Sequence, residues 1–377
     1  MNHDVMLRRL ALTAAALALV VIVFGAFVRL SNAGLSCPDW PTCYGQATWP
    51  TADHEVAQAN ASFARDVETH KAWREQFHRH LAAVLGVLVL AISLVAARAR
   101  RGAWWRILGA AALVAASIPL YVTQHHAAAI ALAAGGELVL LWSLLRWDSR
   151  DHARLGSAVL MVIVFQALLG MWTVTWLLKP IVVMAHLLGG MTTLALLAWL
   201  ALRSRGIAAA PGETVLRRGL LIAGLGVLAV QIALGGWTSA NYAAWSCGTD
   251  VPQCLGQWWP QMDFREGFVL WRGIGVDYEG GVLDGPARTA IQVVHRLFAV
   301  LVAGHLAVVA LKAIRLPALR PAGGVLLLAL VTQLCLGIAN VKLGLPLQIA
   351  VAHNAVAALL LLCLVHLLAR STPRAAH

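Results

Sequence analysis

The chain has 377 residues, of which 60% are hydrophobic and only 12% charged, and its mean hydropathy is +0.75; soluble domains carry about 25% charged residues, so a soluble globular protein is excluded. The net charge of +12 ordinarily suggests nucleic acid. Here the basic residues instead fall in short segments between apolar stretches, as the positive-inside rule expects of cytoplasmic loops, so a polytopic membrane protein with no nucleic-acid partner is expected.

At about 20 apolar residues per span, the sequence predicts helices near 10–30, 78–97, 105–123, 127–146, 156–177, 181–202, 217–239, 289–312, 322–342 and 347–369. The first run, Leu10 to Leu30, is longer than the roughly 7–15 residues of a signal-peptide core and reads as an anchored helix. Arg8 and Arg9 place the N-terminus inside. The remaining basic groups then also face the cytoplasm: Arg98, Arg100 and Arg101; Arg146, Arg150 and Arg154; Arg203, Arg205, Arg217 and Arg218; Lys312, Arg315 and Arg320; Arg370 and Arg374. Two long polar loops, about 31–77 and 240–288, face outward.

The chain repeats itself. Phe77-His78-Arg79 recurs as Val294-His295-Arg296, 217 positions later, and each His-Arg pair is expected to open a membrane-length helix. Met184-Ala185-His186-Leu187 recurs as Val351-Ala352-His353-Asn354, 167 positions later. The run Gly25 to Ser31, with its loop Cys37 to Cys43, parallels Gly235 to Asn241 with Cys247 to Cys254, and Gln166-x-x-x-Gly170 parallels Gln333-x-x-x-Gly337. The expected fold is therefore all-α, two pseudo-repeated four-helix bundles in about ten transmembrane helices. The N-terminal half spans 1–202, a cytoplasmic linker 203–216, and the C-terminal half 217–377. The two offsets differ by 50 residues, which fits a helical hairpin inserted in the first half at about 103–152, with Gln124-His125-His126 at its outer tip. Its Glu137 either faces a polar neighbour in a supporting helix pair or marks a proton or substrate route.

An ionisable side chain at membrane depth is a functional hypothesis by default, and the repeat reproduces a pair of histidines in each half. Bundles build cofactor sites from facing helices, and imidazole is an axial ligand to haem iron. Two bis-histidine haem sites are the economical reading: His78 with His186, and His295 with His353. Zinc is disfavoured, because two nitrogens per half leave a closed tetrahedral site short of ligands. His80, His125, His126 and His305 have no counterpart in the other half and read as structural or surface residues.

One position breaks the symmetry. Glu75 stands three residues before His78, on the same face if the helix extends back that far, whereas Gln292 precedes His295. Glu75 is either a solvated residue of the polar run Lys71 to Gln76 or an acid, base or cation stabiliser for a substrate in the N-terminal half. Arg79 and Arg296 could reach haem propionates or snorkel to lipid phosphate. Cys335 and Cys363 lie in apolar helices and read as small buried hydrophobes. Cys37 with Cys43, and Cys247 with Cys254, fit one disulfide staple per outward loop, or thiol exchange with a partner. The 15 tryptophans fit interfacial belts.

The run Gly34-Leu35-Ser36-Cys37-Pro38-Asp39-Trp40-Pro41-x-Cys43-x-Gly45, the Glu75-x-x-His78-Arg79 motif, Leu169 to Val174 and Leu234 to Ala244 resemble the haem A synthase family of cytochrome oxidase maturation. The resemblance covers nearly the whole chain; the inserted hairpin departs from the family's eight helices. It implies that His295 and His353 hold a haem b cofactor and that His78 and His186 receive haem O as substrate. The porphyrin C8 methyl would be oxidised to a formyl group, with Glu75 at the family's essential glutamate and Cys37 and Cys43 at its outer-loop pair. It implies an inner-membrane location with the cysteine loops and haem sites towards the periplasm. The expected partners are haem O synthase (the farnesyltransferase), oxidase assembly factors and a membrane electron acceptor such as quinone; a homo-oligomer is compatible. Competing readings are a di-haem quinone-linked electron carrier and a membrane thiol-oxidoreductase. An inverted-repeat transporter fits least, because the repeat runs parallel.

Overall fold

The computed structural model describes residues 3–148, 152–207 and 215–372; Arg150, Arg374 and residues 208–214 of the expected linker lie outside the described residues. Twelve helices account for the described secondary structure, with no strand among these residues: α1 His3–Leu30, α2 Asp53–Ser62, α3 Thr69–Ala96, α4 Ala103–Val122, α5 His126–Arg146, α6 His152–Thr175, α7 Pro180–Ser204, α8 Arg218–Ala240, α9 Phe264–Gly267, α10 Gly285–Ile314, α11 Arg320–Lys342 and α12 Leu347–Arg370. Ten of them are long and apolar enough to cross a membrane, so the chain is a multi-pass membrane protein. Their outward side chains suit lipid: Val87, Leu145, Val300 and Leu328 are large, apolar and exposed.

The long helices arise where apolar runs let the backbone satisfy its own hydrogen bonds, the condition for crossing hydrocarbon. Two of them differ from the sequence expectation. The His-Arg helices do not open at their histidines: α3 starts at Thr69 and α10 at Gly285, so His78 and His295 sit in the third turn. The polar run before His78 is helical because its side chains find partners outside the membrane span. Lys71 pairs with Glu68 at 2.7 Å, and the Gln76 amide donates to Ala47 O at 2.8 Å. For α10, the Asp284 carboxylate caps the helix by accepting from Ala287 N at 2.9 Å, with Pro286 in the first turn.

Helices α1, α3, α6 and α7 contact one another in sequence around a ring, α1 to α3 to α6 to α7 and back to α1, and α8, α10, α11 and α12 do the same. The hairpin α4–α5 packs outside the first ring, against α3 and α6. Its two helices approach closely at Gly136, where a Cβ would stand 2.8 Å from Val114 Cγ2 and 2.9 Å from Ala110 O; small residues permit such contacts between membrane helices. Between the rings, α7 packs on α12 and α8, and α1 on α12, a mutual exchange of equivalent faces.

The loops add ties across the rings. Arg29, at the end of α1, donates to Ser239 O at 2.7 Å and stacks 4.4 Å from the Tyr242 ring centroid. The segment after α9 reaches over the first ring: Tyr278 N donates to Leu177 O at 3.1 Å, Glu279 pairs with Arg65 at 2.5 Å, and Trp271 covers Lys179, whose Nζ lies 3.3 Å from its ring centroid.

Candidate functional site

Helices α3 and α7 stand across the first ring from each other, as do α10 and α12 across the second, so each ring holds both histidines of its pair on opposite helices. Each imidazole lies against a glycine of an intervening helix. A Cβ on Gly25 of α1 would stand 2.8 Å from His78 Nε2; on Gly170 of α6, 3.5 Å from His186 Cε1; on Gly235 of α8, 3.3 Å from His295 Cε1; on Gly337 of α11, 3.2 Å from His353 Cε1. Gly25, Gly170, Gly235 and Gly337 are the glycines of the repeated phrases, and their structural reason is room for four imidazole rings. The Nδ1 atoms of His186 and His353 are buried with no hydrogen-bond partner.

Glutamines separate the two pairs. In the second ring, Gln333 Nε2 lies 3.2 Å from His353 Nε2, and Gln231 Nε2 lies 3.2 Å from both Nδ1 and the carbonyl oxygen of His295. Gln166 Nε2, the counterpart of Gln333, is buried without a partner, against Gly189, and the position four before Gly25 is Val21 where Gln231 stands four before Gly235. Sequence reasoning missed Gln231. Its signal was present, because Gln231-x-x-x-Gly235 has the spacing of Gln166-x-x-x-Gly170 and Gln333-x-x-x-Gly337.

The N-terminal ends of α3 and α10 are locked to the cysteine loops in the same way. Disulfides join Cys37 to Cys43 and Cys247 to Cys254. Each loop contains a cis proline, Pro41 or Pro252, and then a left-handed pair, Tyr44-Gly45 or Leu255-Gly256. Each loop's aspartate accepts from the glycine amide of that turn: Asp39 from Gly45 N at 2.9 Å, Asp250 from Gly256 N at 2.7 Å. Onto each loop comes the arginine that follows the histidine. Arg79 donates to Asp39 O at 2.7 Å and Thr42 O at 2.6 Å; Arg296 donates to Asp250 O at 2.8 Å and Gln253 O at 3.0 Å. The guanidinium groups therefore grip loop carbonyls and do not snorkel to lipid. Arg296 keeps Nε and one terminal nitrogen buried without partners, whereas Arg79 spends its second terminal nitrogen on Glu75 Oε1 at 2.6 Å.

Glu75 is not a solvated residue. It is 5% exposed, and its other oxygen accepts from Cys37 N at 2.9 Å and from the Ser36 hydroxyl at 3.1 Å. α3 continues through it, so Glu75 sits one turn before His78 on the loop side. Gln292 occupies the matching place, 5% exposed, with its amide donating to Ala244 O at 3.3 Å and its Oε1 unpartnered. A carboxylate held by a cation and two donors can stabilise positive charge developing nearby; an amide cannot.

The remaining histidines stay outside both pairs. His80 bonds Ala47 O, His125 and His126 bond Thr123 and Gln124 at the hairpin tip, and His305 Nε2 lies 3.0 Å from Leu220 O. Glu137 has its Oε1 buried without a hydrogen-bond partner. Among the described residues no three His, Cys, Asp or Glu side chains converge as a metal site. The donor set is two imidazoles per ring, which fits a metal whose other ligands come from its own macrocycle, and the four glycines leave room for those imidazoles.

Residues 8–117 and 120–365 match the family described as cytochrome oxidase assembly protein, COX15-CtaA. The chain belongs to this family. Its COX15-CtaA relatives include a protein of Shewanella oneidensis named heme A synthase, 39% identical over 350 residues, which covers 92% of this chain and 91% of that one. Another of the same name, from Rhizorhabdus wittichii, is 27% identical over 94% of this chain and 90% of its own. A third, from Methylobacterium radiotolerans, is 28% identical over 93% and 86%.

Proposed function

We propose that this COX15-CtaA member is a haem A synthase, oxidising the C8 methyl of haem O to the formyl group of haem A through hydroxylated intermediates. Family membership supports the reaction. The single observation that carries the division of labour is the break in an otherwise repeated site: Glu75 against Gln292, and glutamine contacts at both histidines of the second ring only.

In this reading His295 and His353 hold haem b, which when bound supplies a relay for electrons to a membrane acceptor such as quinone. Gln231 and Gln333 donate from Nε2 to their imidazoles and so help to fix the ring orientations. The two spare buried donors of Arg296 fit a carboxylate of that group. His78 and His186 bind haem O, and the absence of a glutamine contact at either of these two imidazoles suits a molecule that must arrive and leave. Glu75 faces the substrate half as a carboxylate and stabilises positive charge as the methyl is oxidised, or positions the water that supplies oxygen. Arg79 fixes Glu75 and the cysteine loop together, so its donors are committed to the protein and not to propionates. Both cysteine pairs serve as staples. The chain sits in the bacterial inner membrane with its N-terminus cytoplasmic and its cysteine loops periplasmic. There it receives substrate from haem O synthase and delivers product to oxidase assembly; self-association is compatible with this arrangement.

The test is extraction and mass analysis of the haems in the purified protein after co-expression with a source of haem O. Haem A or its hydroxylated precursor is expected from the wild type and neither from Glu75→Gln, with both haem sites still filled. Arg79→Gln opens the same loop contacts but leaves the carboxylate, so it should retain part of the activity. Only haem b in every case would point to the di-haem electron carrier, and an active Glu75→Gln enzyme would remove Glu75 from the chemistry.

A further inference from the structure

The hairpin α4–α5 has no counterpart in the second ring, and neither histidine pair uses it. At the end opposite the cysteine loops it forms, with the turn after α3, a recess of about 470 Å³ lined by Arg100, Arg101, Arg106, Arg146, Trp142 and Trp147 with Ala103. Three separate segments bring these residues together: the turn 97–102, the first turns of α4 and the last turn of α5. The guanidinium groups of Arg101, Arg106 and Arg146 gathered in one recess repel one another, and neutralising them is favourable.

The aromatic rings set the orientation of the arginines. Arg106 and Arg146 lie over Trp142 at 4.5 and 5.5 Å from its ring centroid, and Arg100 lies over Trp147 at 5.5 Å. A guanidinium stacked on an indole face is held flat, which leaves its in-plane N–H groups to turn outward. Among the described residues Arg101, Arg106 and Arg146 have no carboxylate partner. Arg100 and Asp148 each have a partner, and the other three arginines leave the recess positive.

We propose that this recess binds the phosphodiester headgroup of an anionic membrane lipid. The ligand class follows from the cations, because arginine matches phosphate oxygens bidentately. Its source follows from position. The recess lies at the end of a membrane-length hairpin, where tryptophans mark the membrane interface: Trp105 is 79% exposed beside it and Trp142 is 45% exposed within it. Leu108, Leu141 and Leu145 are exposed on the same two helices, up to 75% for Leu145, and offer a path for acyl chains running from the headgroup into the hydrocarbon. A free phosphate ion would use the arginines but not these side chains. Basic pockets between membrane helices are a recurrent mode of anionic-lipid recognition. The site would give the inserted hairpin a role of its own, fixing its cytoplasmic end to the lipid and thereby to α3 and α6.

The test uses the full-length protein in detergent and compares three additions: phosphatidylglycerol, phosphatidylcholine and inorganic phosphate alone. Phosphatidylglycerol is expected to raise the unfolding temperature and to remain bound in native mass spectra, and the other two to do neither. Arg106→Gln with Arg146→Gln should weaken phosphatidylglycerol binding about 30-fold, two charges near the surface at about 1 kcal/mol each. Arg101→Gln, at an exposed turn where no fold is endangered, should weaken it about 5-fold. Arg217→Gln with Arg218→Gln removes as much charge on the same side but outside the recess, and should leave binding unchanged. Equal losses in the recess and control variants would reduce the effect to general surface charge and overturn the site. An equal shift with inorganic phosphate would overturn the lipid as its ligand.

Discussion

At the scale of single residues, the four histidines are defined as much by what faces them as by themselves. The glycine opposite each ring is a steric requirement, and its consequences differ by site. Gly25→Ala would put a methyl 2.8 Å from His78 Nε2, a separation that side chains do not tolerate, so the ring must turn. Loss of haem affinity in the first ring on the order of 10-fold is expected, the size seen when the support of a metal-binding histidine is removed, with the second site's absorption unchanged; spectral titration with haem separates the two. The histidines and the glycines were legible as repeated letters, and Glu75 as the one letter that the repeat does not keep. Their partners were less so. Arg79 read as free to choose between propionate and lipid, because nothing in the local sequence says that a cis-proline loop will place Asp39 and Thr42 carbonyls beside it. Gln231 escaped notice because its counterpart in the first half is Val21, and a repeat advertises only what both copies keep.

Among the elements, the cysteine loops are the clearest case of redundancy in binding a helix. The loop from Cys37 to Cys43 is held by a disulfide, by Asp39 across its own turn, and by Glu75 and Arg79 from α3. Closing so short a loop contributes about 2 kcal/mol. Replacing both cysteines by serine should therefore lower the unfolding temperature yet leave the haem spectrum in place, whereas a thiol-exchange enzyme would lose all activity. The same loop carries a pH limit. Burial pushes the Tyr44 phenol up to about 12 while its oxygen donates to Asp66 O at 3.0 Å. Its folded pKa lies above the ordinary value of 10, so its contribution is complete below pH 10 and is lost as pH rises from 10 towards 12. Proteolysis within residues 44–67 should accelerate across that window and not below it. Element existence was readable because apolar runs of membrane length leave little choice, and the hairpin was readable from a length difference alone. The outer extensions of α3 and α10 were not, since Lys71 to Gln76 is helical through tertiary partners that a local pattern does not contain; α2 and α9 escaped for the same reason.

For the molecule as a whole, the two rings are joined by equivalent helix faces, by Arg29 on Ser239 and Tyr242, and by an asymmetric strap, the segment from Trp271 to Glu279. Lys179 beneath it is 1% exposed, its ammonium has no hydrogen-bond partner, and burial lowers its pKa from the ordinary lysine value. Two indoles, Trp271 at 3.3 Å and Trp176 at 5.3 Å, are what face that charge. Trp271→Ala should destabilise the protein by about 2 kcal/mol, the upper range for a desolvated cation on an aromatic face, and Lys179→Met, which removes the charge but keeps the stem, should offset most of that loss when combined with it; thermal unfolding of the single and double variants reads the coupling. None of this strap was legible, because it depends on residues nearly a hundred positions apart meeting across two rings. The parallel sense of the repeat has a further consequence. His78, His186, His295 and His353 all lie within the first three turns of helices that start on the cysteine-loop side, so the two sites occupy one level of the bilayer. In the proposed reading, a charge passing from one to the other would travel sideways, along a contour of the membrane voltage. It does none of the work, about 2.3 kcal/mol per 100 mV, that a full crossing would entail, and the energised state of the membrane neither drives nor opposes the transfer.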